Sequence, residues 1–162
     1  MSKFLISASV LLLLAGPALA RNIAVPAKDP AATVTVPDNW KFDEIDYGYS
    51  AMSPGKDVFF SVEYAAKNKI DAMMKNNEDW MKENGIDYSV KPTELEMDFS
   101  GLKGTVYRFD TKDEDGPTRV DFVLLPGGKD RVIFLTLWGS ADERKKHADE
   151  IDSIMNSVKP IQ

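Results

Sequence analysis

The chain has 162 residues, no cysteine, one histidine and a formal net charge of −6, with 26 acidic against 20 basic side chains. Disulfides, thiolate metal sites and a lipid-modified N-terminal cysteine are excluded, and an acidic chain without a basic cluster is a poor match for nucleic acid or an anionic membrane surface. Its length suits one domain around one core.

The N-terminus carries Lys3, an apolar run from Phe4 to Ala15, and Ala18-Leu19-Ala20 before Arg21. A charged start, a short apolar stretch and small residues at the cut form a secretory signal peptide, and the run is too short for a good membrane span. The expected product is cut after Ala20, carries no membrane anchor and is periplasmic or secreted. Loss of Lys3, the lone charged residue before the cut, takes the net charge from −6 to −7. Residues 21–32, with Pro26 and Pro30, read as an extended leader outside a single domain over 33–162.

Thr33-Val34-Thr35-Val36-Pro37 is a short strand that Pro37 ends or leaves at a sheet edge. Asp38-Asn39-Trp40 turns into a twisted hairpin over Lys41 to Met52, with Gly48 inside it. Val58, Phe60, Val62 and Tyr64 alternate with Asp57, Ser61 and Glu63 in the next strand. From Ala65 the period becomes helical, with Ala66, Ile70, Met73, Met74 and Met81 on one stripe, Trp80 at its edge and Asn84-Gly85 closing the helix. Such a stripe packs on a sheet or lines an adaptable apolar pocket. Ile86, Tyr88 and Val90, then Leu95, Met97 and Phe99 beyond Pro92, predict one interrupted strand or two short ones.

Leu102 to Phe109 is a strand, and the acidic residues from Asp110 to Gly116 form a hairpin loop. This loop fails the calcium-loop spacing, because a glycine at position six would leave Thr111 at position one and Phe122 at position twelve. Val120, Phe122 and Leu124 belong to a strand joined by Pro126-Gly127-Gly128-Lys129-Asp130 to its antiparallel neighbour, Arg131 to Trp138. That last strand is apolar on both faces and so needs cover on both sides. Ser140 stands three residues before Glu143, the spacing of a capping box. Arg144, His147, Ala148, Ile151, Ile154, Met155 and Val158 share one stripe of the closing helix, which Pro160 ends.

The order of four strands, a helix, four strands and a helix predicts an α+β fold, a central, mostly antiparallel sheet flanked by helices. From Thr33 onward the chain resembles the Mog1/PsbP-like superfamily. The carriers are VTVPDNWK, the tyrosine-rich segment leading into SPGKDVFFSVEY, the strands GLKGTVYRF and VIFLTLWG, and the closing IDSIMNSVKP. The resemblance implies an α/β/α sandwich and an accessory role without known catalysis. The family shares no active site, so it transfers no site residue. The missing cysteine departs from its lipoprotein members.

No nucleophile, metal or nucleotide motif stands out, and neither a cofactor nor a metal is expected. His147, the single histidine, lies on an apolar stripe and reads as structural. One stretch is unusual: Trp40, Tyr47 and Tyr49 interleave with Asp43, Glu44 and Asp46. Amphipathic aromatics among carboxylates suit a cationic ligand or a protein partner with a basic surface, a contact use that requires at least two of the three rings to be exposed, whereas plain strand alternation packs the rings on the core and leaves the acids facing water. The expected function is therefore an exported, non-enzymatic accessory or binding protein acting through a contact surface. The alternative is a carrier holding an apolar or cationic small molecule between the sheet and a helix.

Overall fold

The computed structural model describes residues 20–161, so the signal peptide expected from the sequence lies, apart from Ala20, outside the described residues. The chain begins with β1 (Ala20–Val25) and β2 (Ala32–Pro37), which pair antiparallel from Ala20 against Pro37 to Val25 against Ala32. The first part of the predicted leader, residues 21–25, is thus strand. Ile23 and Val25 are buried in the core, and this apolar anchorage holds a segment whose prolines suggested an independent tail. The pairing of the small sheet therefore begins ahead of residue 33.

A hairpin of β3 (Lys41–Ile45) and β4 (Gly48–Met52) follows, then β5 (Phe59–Ala66). β5 runs past the predicted change of period because Ala65 and Ala66 pair with Val132 and Arg131. Helix α1 (Ile70–Glu83) accordingly starts later than Ala65. At its end Gly85 takes φ +70°, the left-handed conformation that glycine adopts at low cost. The predicted strand at Ile86 to Val90 is absent. Asp87 instead accepts from the Ser89 backbone N–H at 3.0 Å and from its hydroxyl at 2.6 Å, an Asx-type turn that competes with strand pairing.

β6 (Thr93–Phe99), β7 (Leu102–Asp113), β8 (Gly116–Pro126) and β9 (Arg131–Gly139) form an antiparallel meander. Pairing of Asp113 with Gly116 reduces the acidic loop to a tight turn at Glu114 and Asp115. The predicted closing helix is two helices, α2 (Ala141–Lys146) and α3 (Ala148–Asn156), separated at His147, whose φ of −108° and ψ of 19° leave the helical region. The Ser140 capping box is present in both directions. β10 (Lys159–Pro160) then joins β2.

The large sheet has the order β3-β4-β5-β9-β8-β7-β6, and the small one β1-β2-β10. Alternation along β8 and β9 divides their side chains between two cores. Val120, Phe122 and Phe134 pack with Met73 and Met81 of α1. Val123, Leu125, Ile133, Leu135 and Leu137 pack on the small sheet and on Ile151, Ile154 and Met155 of α3. The two-faced apolar pattern of β9 thus finds cover on both sides, as its sequence demands. On its own face of the seven-stranded sheet, α1 is the single helix among the described residues, and beside it the face of β3, β4 and β5 stays open.

Candidate functional site

On this open face the cross-strand register aligns two rows. Asp43, Ser50, Ser61 and Thr136 form one, and Ile45, Gly48, Glu63 and Phe134 the next. Glycine and serine at these positions give little height, so a groove of about 470 Å³ opens between the hairpin and α1. Ile45, Asp46, Tyr47 and Ser50 form one wall, and Phe59, Ser61 and Glu63 of β5 the floor. The opposite wall is Asn76, Asn77 and Trp80 of α1. Gly48 admits no side chain here, because a Cβ would stand 2.0 Å from the Val62 carbonyl oxygen.

Glu63 is the chemical centre of the groove. Its Oε1 accepts from Ser61 Oγ at 3.3 Å and from Asn77 Nδ2 at 3.4 Å. Asn77 is itself fixed, donating to the Met73 carbonyl at 3.1 Å and accepting from Thr136 Oγ1 at 2.9 Å. Burial pushes the Glu63 carboxyl above its ordinary value, against the opposing effect of the bonds from Asn77 and Ser61. No basic side chain among the described residues stands close enough to pull it back down. Aromatic surface surrounds it at Tyr47, Phe59 and Trp80. Phe59 and Trp80 stack on one another with centroids 4.8 Å apart and planes at 27°. A partly desolvated carboxylate without an internal cation, set among aromatic rings, has the chemistry to accept a positive group.

The six residues singled out in sequence do not converge. Trp40 is 2% exposed, Tyr49 is half-buried and stacks on Phe42 at 4.9 Å, and Tyr47 alone of the three rings is substantially exposed, at 49%. The expected pair of exposed rings is therefore absent, because Trp40 and Tyr49 pack against the core while Tyr47 stands in the hairpin turn. Trp40 lies on the far side in the core shared with the small sheet. Asp43 pairs with Lys41 at 3.2 Å, and Glu44 is exposed. Asp46 and Tyr47, in the hairpin turn, do reach the groove. Ser61, Glu63 and Asn77 were missed, and a signal for them existed. Asn77 occupies the buried stripe of α1 four residues from both Met73 and Met81, a polar residue where apolar contact is the rule.

His147 is buried near Trp40, their rings edge to face with centroids 6.0 Å apart. Its Nδ1 meets Glu150 at 2.6 Å and its Nε2 meets Asp57 at 3.0 Å. Both ring nitrogens are engaged, so no free lone pair is offered as a base, and the histidine is structural in its contacts. The Glu150 bond, with Asp57 assisting, raises the imidazole above its ordinary value against the effect of burial. Burial favours the neutral form of Glu150, but bonds from His147 and Asn39 outweigh it and hold the carboxyl low. The Trp40 indole N–H helps hold it down, though not at hydrogen-bonding geometry, and that nitrogen is buried without a partner. In the acidic turn, Asp113 accepts from Trp138 Nε1 at 3.1 Å and Asp110 pairs with Arg119 at 2.6 Å. Among the described residues, no three histidine or carboxylate side chains converge as metal ligands. Nor is any helix there long and apolar enough to cross a membrane.

No protein-family model and no curated protein matches the chain. Among solved structures it is similar to cyanobacterial PsbP (CyanoP) from Synechocystis sp. PCC 6803, with a TM-score of 0.59 and 11% identity over 97% of this chain and 99% of that one. It is also similar to a protein from Bacteroides thetaiotaomicron VPI-5482, with a TM-score of 0.55 and 10% identity over 82% of this chain and 46% of that one. The fold is Mog1/PsbP-like, mixed α and β with a large antiparallel sheet. At such identities the likeness carries the fold and no site residue.

Proposed function

We propose that this Mog1/PsbP-like chain is an exported, non-enzymatic binding protein that holds a small cationic ligand in the groove between β3–β5 and α1. The carrying observation is Glu63, a partly desolvated carboxylate on the groove floor with no internal counter-ion. Burying a charge without a partner is unfavourable, and a ligand cation supplies the missing one. Binding is then an ion pair in a partly dry groove, reinforced by Tyr47 and the aromatic wall.

The test is native mass spectrometry of protein purified from its own periplasm, followed by calorimetric titration with the recovered compound. A co-purifying small cation that Glu63→Gln no longer holds is the expected result. Tight binding by Glu63→Gln refutes the assignment. A second reading, a basic protein partner docking on the hairpin, draws on the exposure of Tyr47 beside Asp43, Glu44 and Asp46. It requires a co-purifying protein and a complex that weakens as salt rises.

A further inference from the structure

The groove does not end at Glu63. Tyr47 and Asn76 also line a neighbouring hollow of about 380 Å³, whose other walls are Tyr64, Ala65, Ala66, Lys69, Ala72 and Met73. Ala65 is the next residue on the α1 face of β5, about 6.7 Å along the strand from Glu63. Ala65 and Met73 are buried in the core under α1, and Ala65, Ala66 and Ala72 leave space that larger side chains would fill. The two hollows meet at Tyr47 and Asn76, the first polar at Glu63 and the second aliphatic at Ala65, Ala66 and Ala72.

We infer that the ligand is an amphiphilic monoamine, its ammonium on Glu63 and its unbranched aliphatic chain lying between Ala65, Ala72 and Met73. This deepens the reading of the groove as a cation site and rests on it. The chain runs toward Met73 because Phe59 and Trp80, at the opposite end, already use their faces on each other. Alanine and methionine walls fit a flexible methylene chain better than a flat ring. Lys69 stands on the wall of the aliphatic hollow, where its charge repels a second ammonium, so a diamine is disfavoured against a monoamine of equal length.

The experiment is calorimetric titration of the folded protein with ethyl-, butyl-, hexyl- and octylammonium, each below its aggregation concentration. 1,6-Hexanediamine, octanol and octanoate complete the panel. Affinity is expected to rise about fourfold per methylene along the series, the increment of burying a CH₂ group. Hexylammonium should bind more tightly than the diamine, and the alcohol and the carboxylate should not bind. Ala72→Leu, chosen because Ala72 is exposed on α1, should fill the hollow and abolish the gain with chain length. Its melting temperature checks the fold.

Equal binding of all four amines overturns the aliphatic path and leaves the cation site standing. Failure of every amine overturns both. Octanol binding as tightly as octylammonium overturns the role of Glu63, and a diamine preferred over hexylammonium overturns the placement of the chain beside Lys69.

Discussion

Replacing Glu63 by glutamine separates a binding carboxylate from a structural one. The amide keeps the shape and an acceptor for Ser61 and Asn77, whose bonds to Oε1 are long, at 3.3 and 3.4 Å. What it removes is a charge that burial disfavours. Part of the charge still faces the open groove, so the cost of desolvation is moderate. The variant should be more stable than the parent by about 1 kcal/mol at pH 8, a rise of about 3 °C in melting temperature for a domain of this size. The sign follows from linkage. A carboxyl raised in the folded state contributes stability that is present below its unfolded value and is lost as pH rises through the folded value. Parent and variant should therefore melt together near pH 4 and diverge above it. Differential scanning calorimetry from pH 4 to 8 reads this directly. A Glu63→Gln protein that melts lower than its parent at pH 8 would show that the carboxylate is satisfied internally, and the argument for an external cation would fail.

The ion network on the opposite face behaves in the reverse way. Asp121, whose side chain is 5% exposed, receives Arg108 at 2.8 Å and Arg144 at 2.5 Å. Asp121→Asn should destabilise by about 3 kcal/mol in urea unfolding, because two partly buried guanidinium groups lose their shared anion. Replacing all three residues by apolar ones should lose less than the single change. His147→Gln should lower stability by about 2 kcal/mol at pH 5.5, the scale of hydrogen bonds to charged groups. Its deficit should shrink by pH 8.5, since a raised imidazole contributes below its unfolded value and loses that contribution as pH rises through its folded one. The groups facing the ring are Glu150, Asp57 and, through Asp57, Lys146. An equal deficit at both pH values would show the histidine to be neutral throughout. Edman sequencing of periplasmic protein should begin at Arg21, and a start at Met1 would refute export.

Local patterns in the chain carried those parts of the fold whose causes are local. The Ser140–Glu143 cap, the Gly85 helix end, the paired β8 and β9 and the apolar stripe of α1 all follow from residues a few positions apart. The two-faced apolar pattern of β9 further required a layer on each side. Two of the errors fell where a distant contact overrode a local signal. Prolines marked residues 21–32 as a leader, yet Ile23 and Val25 find buried places only when the small sheet closes on the core. A continuous stripe suggested one closing helix, yet His147 breaks it while bonding to Asp57, ninety positions earlier.

The candidate site shows the same division. The sequence determined that the chain alternates, that its aromatic hairpin carries acids, and that α1 has a buried stripe. It did not determine which polar strand face lies beneath a helix, because period-two alternation names two faces without saying what covers either. Ser61 and Glu63 looked like the solvent side of an ordinary strand. Only the tertiary structure set Asn77 of α1 and Thr136 of β9 beside them. It also sent Trp40 and Tyr47 to opposite sides of the sheet. Desolvation depends on every atom that displaces water, and those atoms come from elements far apart in the chain, so the altered chemistry of Glu63 arose only when the layers closed.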